Sequence, residues 1–70
     1  MSYLIQLTLK GGFKYWADIF YTKEDEDAWG LTWQGLINNS TKFTDFNHAQ
    51  EWLKEIESVQ GHLTLEIVEL

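Results

Sequence analysis

The sequence predicts an α+β domain: a mainly antiparallel sheet of about four strands with one helix packed on one face, in the order β-β-β-α-β. Three observations carry this. Apolar residues alternate in four separate stretches, the two-residue period of a strand. One further stretch repeats them at three- and four-residue spacing, the stripe of an amphipathic helix. Proline is absent, so glycine and asparagine mark the boundaries.

From Tyr3 to Lys10, Tyr3, Ile5, Leu7 and Leu9 fall on one side of a strand. Gly11-Gly12 reads as a two-residue hairpin turn. Phe13 to Thr22 continues with Phe13, Tyr15, Ala17, Ile19 and Tyr21, and Trp29, Leu31, Trp33, Gly35 and Ile37 make a third strand. Asn38-Asn39-Ser40 reads as a turn, and Thr41 to Phe46 as a short extra strand or an extended lead into the helix. The helix carries Ala49, Trp52, Leu53, Ile56 and Val59 on one stripe, with Asn47 and Gln50 as a capping box and Gly61 at the left-handed C-terminal position. Leu63, Leu65 and Ile67 alternate in the last strand.

Alternation also assigns faces, because successive strand residues point to opposite sides. One face gathers Ile5, Leu7, Phe13, Tyr15, Ile19, Leu31, Trp33, Leu63, Leu65 and Ile67, and must meet the helix stripe. The other carries Gln6, Thr8, Lys14, Asp18, Thr32, Gln34, Thr64 and Glu66 together with the apolar Leu4, Trp16, Phe20, Leu36 and Val68. A lone helix covers only one face. Large apolar groups rimmed by polar ones on an uncovered face mark a contact surface for a partner or a second copy.

The chain has 70 residues, one domain spanning 1–70, and no cysteine for a disulfide or thiolate metal site. A chain of this length buries only about 60% of its unfolded surface. Oligomerisation or dense aromatic packing must compensate, and four Trp, four Phe and three Tyr offer the second, or a binding surface. Eleven acids against five lysines give a net charge of −6, with no arginine to grip phosphate. That balance argues against direct nucleic-acid binding and for a partner with a basic surface. The opening "MSYLIQLTLK" shows no basic segment leading into an apolar core, and no run reaches the ~20 apolar residues of a membrane span. The expectation is therefore no signal peptide, no membrane and a cytoplasmic location.

The acidic run Glu24-Asp25-Glu26-Asp27 has two readings: a solvated hairpin tip, or a docking surface for a lysine- or arginine-rich partner. A calcium loop fits poorly. With Asp25 in the first ligand position, Trp29 falls on the fifth and Leu36 on the twelfth, where oxygen ligands are needed. His48 and His62 form no recognisable metal pattern, and Ser2, Ser40 and Ser58 lack a nucleophile context. So small a sheet-plus-helix chain offers little room for a deep pocket, so the expectation is no enzyme, no cofactor and no metal.

The segment "FKYWADIFYTKEDEDAWGLTWQGLINNSTKFTDFNHAQEWLKEIES" resembles the three-strand-plus-helix module of AP2 domains and integrase arm-binding domains, through "YWADI" and the "FTDFNHAQEWLKEIE" lead into a helix. The resemblance implies a sheet face that enters a DNA major groove, at positions corresponding to Lys14, Trp16, Asp18, Thr32 and Gln34. In size and charge the chain also resembles the small acidic anti-CRISPR proteins of phages and mobile elements, which implies an inhibitor that covers a basic site. The leading expectation is a protein-binding inhibitor using Trp16, Asp18, Phe20, Glu24, Asp25, Glu26, Asp27, Leu36, Glu51 and Glu55. A DNA-binding sheet and a homodimeric structural component are the alternatives.

Overall fold

The computed structural model describes residues 1–21 and 28–70. Four antiparallel strands, β1 (Tyr3–Thr8), β2 (Lys14–Tyr21), β3 (Trp29–Gln34) and β4 (Thr64–Glu69), form one sheet in the order β3-β2-β1-β4, and α1 (Phe46–Val59) packs on it. The predicted class and element order hold. β1 is the central strand by burial: Leu4, Ile5, Gln6 and Leu7 are all buried. Its register runs Ile5↔Ile67 and Leu7↔Leu65 with β4, and Gln6↔Trp16 and Thr8↔Lys14 with β2.

The core forms where the helix stripe meets the alternating strand residues. Ile5, Ala17, Phe43, Ala49 and Ile56 are its buried centre, with Ile19, Trp29, Leu31, Trp33, Trp52, Leu53, Leu65 and Ile67 packed around them. Trp52 crosses Trp29 edge-on at 5.1 Å and Tyr21 at 6.2 Å, the geometry that aromatic quadrupoles favour. α1 lies mainly over β4 and β1. The inner faces of Trp29, Leu31 and Trp33 are consequently only half-buried.

Several local expectations change. The first hairpin closes through Leu9 N–H to Phe13 C=O (2.8 Å), so its loop is Lys10-Gly11-Gly12, one residue longer than predicted. Gly11 (φ 98°) and Gly12 (φ 89°) both occupy the left-handed half of backbone space, where a side chain would be strained. Phe13 packs its ring toward Gly11 at this turn and is 66% exposed, not in the core. The helix N-cap is Asp45, whose carboxylate accepts from Asn47 N–H at 3.0 Å; Asn47 is inside the first turn. Gly61 is not left-handed. The helix closes at Gln60, and a side chain at 61 would crowd Glu57 C=O at 3.0 Å.

The segment before the helix is an extended lead that wedges into the sheet. The β1–β2 ladder stops at Gln6↔Trp16. Beyond it Thr41 N–H donates to Ala17 C=O (2.9 Å), and Phe43 exchanges both backbone bonds with Tyr3 (2.7 and 2.9 Å). Residues 41–43 thus satisfy backbone groups that the splaying of β1 from β2 would leave buried and unpaired. A single 3₁₀ turn, Ile37–Asn39, leads into this wedge from the end of β3.

Candidate interaction surface

The face of the sheet opposite α1 is built by three residues of β2. Trp16, Asp18 and Phe20 alternate outward, opposite Gln34, Thr32 and Gly30 of β3. Each is held differently. The Trp16 indole N–H donates to Gln6 Oε1 (3.3 Å), and Gln6 Nε2 donates onward to Glu66 Oε1 (2.8 Å). A parallel chain runs from Gln34 Nε2 to Thr32 Oγ1 (3.1 Å) and from Thr32 Oγ1 to Asp18 Oδ2 (3.5 Å). Both chains end on carboxylates, so the polar part of this face displays hydrogen-bond acceptors and negative charge. Phe20 uses the missing side chain of its cross-strand partner: its ring lies over Gly30, where a Cβ would collide with it. Covering a strand glycine with an aromatic ring restores packing that glycine alone cannot provide.

This face is less open than its alternation pattern implies. Leu4, expected to be an exposed apolar group there, is 1% exposed. It sits on an inner strand beside Val68 and is flanked along β1 by the buried Gln6. Trp16 is half-buried, because its indole packs toward Gln6 and shares a hollow with Gly35, Leu36, Ile37 and Asn38. What remains outward is Phe20 (45% exposed) and Leu36 (66%), with Asp18 between Phe20 and Trp16 on the strand.

The structure therefore lines up Trp16, Asp18 and Phe20 along β2 and sets Leu36 beside Trp16, past the end of β3 and at the other end of the row from Phe20. It separates them from Glu51 and Glu55, which are exposed on α1, the layer beyond the sheet. Glu55 instead lines the groove between α1 and β3, on the opposite side of the sheet from Asp18. Glu24, Asp25, Glu26 and Asp27 lie outside the described residues.

His48 and His62 do not come together as a pair. His48 Nε2 accepts from the Trp52 indole N–H (3.2 Å) one helical turn away, and its ring meets Phe43 edge-on at 5.3 Å, both structural uses. His62 is exposed between α1 and β4. Among the described residues, no group of three or more His, Asp or Glu side chains is placed to hold a metal ion. No helix among them is long and apolar enough to cross a membrane.

One feature of the site has no signature in the alternation pattern. Ala17 C=O and Ile19 N–H are both engaged by Thr41, on the β1 side of β2. Alternate strand residues aim their backbone groups to opposite sides. Trp16, Asp18 and Phe20 are then the residues whose backbones bond β3, through Gln34, Thr32 and Gly30. The N–H and C=O groups of Trp29, Leu31 and Trp33 consequently point outward along the free edge of β3. No family model matches the chain, and neither a curated protein nor a solved structure matches it.

Proposed function

We propose that this chain is a non-enzymatic protein-binding module, in its most concrete form a small acidic inhibitor carried by a phage or mobile element that covers a basic surface of its partner. The observation that carries the reading is exposed Phe20 next to the carboxylate of Asp18 on the face without a helix, with exposed Leu36 at the Trp16 end of the same row. Rings and aliphatic groups of this kind act as desolvated anchors in interfaces, while acids beside them select a basic partner. The net charge of −6 without arginine supports the same polarity. The acids of residues 24–27 add long-range steering, which speeds encounter more than it tightens the complex.

The test is capture of a basic partner from a cognate lysate, followed by rate measurements on the purified pair. Phe20→Asp with Leu36→Asp is expected to abolish capture. Asp25→Lys with Asp27→Lys is expected to slow association, more so at low salt. Unchanged capture by the first pair together with unchanged rates in the second contradicts the proposal.

A further inference from the structure

We infer that the free edge of β3 takes an extended, lysine- or arginine-bearing segment of the partner as an additional strand; the inference rests on the protein-binding reading above. The first ground is the backbone. Trp29, Leu31 and Trp33 turn their N–H and C=O groups to the outside of the sheet, and among the described residues nothing pairs with them. Such a row is a template for another strand, and proteins that do not use it block it with charge, proline, a bulge or shortness. β3 has none of these. It is six residues long with unbroken register to β2, and its sequence WGLTWQ contains no charge and no proline. The other edge strand, β4, carries Glu66 and Glu69.

The second ground is the space beside that edge. Because α1 sits over β4 and β1, a groove of about 380 Å³ is left between the helix and β3, lined by Trp29, Leu31, Glu55, Ile56, Val59 and Gln60. An added strand sends every second side chain to the helix side, into this groove. Its apolar wall accounts for an otherwise unexplained exposure, that of Val59 at 66% in the last turn of the helix stripe. The remaining side chains of the added strand point to the other face, beside Phe20, Thr32 and Gln34, so the edge is continuous with the surface already proposed.

Charge selects the occupant. Among the described residues Glu55 is the one ionisable side chain of the groove lining, Asp18 stands beside Thr32 on the face that the lysines reach, and the chain as a whole carries −6. A segment that alternates apolar residues with lysine or arginine complements both walls. A second copy of this chain offers the same apolar edge but brings its own −6 to it, which opposes pairing. This mode of recognition draws affinity from main-chain bonds and specificity from the alternate pockets.

The experiment is residue-resolved amide exchange on the labelled chain, with and without a short capped peptide that alternates valine and lysine. In the free chain the Trp29, Leu31 and Trp33 amides are expected to exchange as fast as loop amides, while those of Gly30, Thr32 and Gln34 are protected. Added peptide is expected to slow the first three by about tenfold or more, since each gains a pairing bond. A valine–glutamate peptide is expected to leave them unchanged. Leu31→Pro removes an outward donor that the β2 ladder does not use, and should weaken the peptide about tenfold. Were that variant unfolded, the exchange data on the unaltered chain decide alone. Three results overturn the inference. One is no added protection at the three amides. Another is protection without peptide, accompanied by a doubled sedimenting mass, which assigns the edge to a second copy. The third is peptide-induced shifts confined to Phe20 and Leu36, which leaves the protein-binding reading standing and removes the edge from it.

Discussion

Gly30→Ala should destabilise this protein, although replacing a strand glycine ordinarily helps. The general expectation for glycine to alanine inside a strand is a gain of roughly 0.5–1 kcal/mol, from the smaller entropy lost on folding. Here the new methyl group collides with the Phe20 ring that covers Gly30. The ring must lift. Phe20 is 45% exposed, so a little over half of it is covered. A phenylalanine buries on the order of 150–250 Å² when fully enclosed. Losing most of the covered half, on the order of 80–100 Å², costs roughly 2–2.5 kcal/mol at about 25 cal/mol per Å². The loss exceeds the gain, and the net cost is about 1–2 kcal/mol. In a domain of this size that lowers the melting temperature by roughly 4–8 °C per kcal/mol. The assay is urea denaturation of the wild type, Gly30→Ala, Phe20→Ala and the double variant. With the ring gone, Gly30→Ala should become neutral or stabilising, so the cycle should show a coupling energy of about 1–2.5 kcal/mol, the upper end being the whole ring-contact loss. A stabilised Gly30→Ala single variant, or additive single effects, would refute the reasoning.

Two further substitutions test the frame that positions the surface. Asp45→Ala removes the helix N-cap that Asn47 N–H uses and should cost about 1 kcal/mol in thermal or urea denaturation, whereas Asn47→Ala should be nearly silent. Ile56→Ala opens a cavity where the helix meets β1, at a residue with no exposure; a loss of about 2–5 kcal/mol is expected, enough to leave much of so small a domain unfolded at 37 °C.

The alternation of Tyr3-Ile5-Leu7 and Ala17-Ile19, with the stripe Ala49-Trp52-Leu53-Ile56, made the sheet and its helix legible, because each burial period is local in the chain. Features that depend on distant partners were not legible in this way. Nothing near Thr41 or Phe43 announces that they fill a split between β1 and β2; the bonds to Ala17 and Tyr3 span more than twenty residues. The same holds for the edge position of β3, which follows from β4 returning to pair with β1. At the helix start, Asp45 and Asn47 are both good caps by type, and the choice lies in where the wedge ends and Phe46 meets Tyr3, edge-on at 5.6 Å. On the candidate surface, the outward phase of Trp16, Asp18 and Phe20 was readable, but the closing of the face over Leu4 and Gln6 was not, since side chains of three strands meet there.

The most direct measurement is side-chain accessibility in a sample whose sedimentation shows a single chain. A soluble paramagnetic agent should strongly broaden the ring protons of Phe20 and the methyl groups of Leu36, attenuate those of the Trp16 ring partly, and leave the methyl groups of Leu4 and Ile5 untouched. Shielding of Phe20 and Leu36 in that monomer would contradict the account, because no free apolar surface would then remain beside Asp18 to receive a partner.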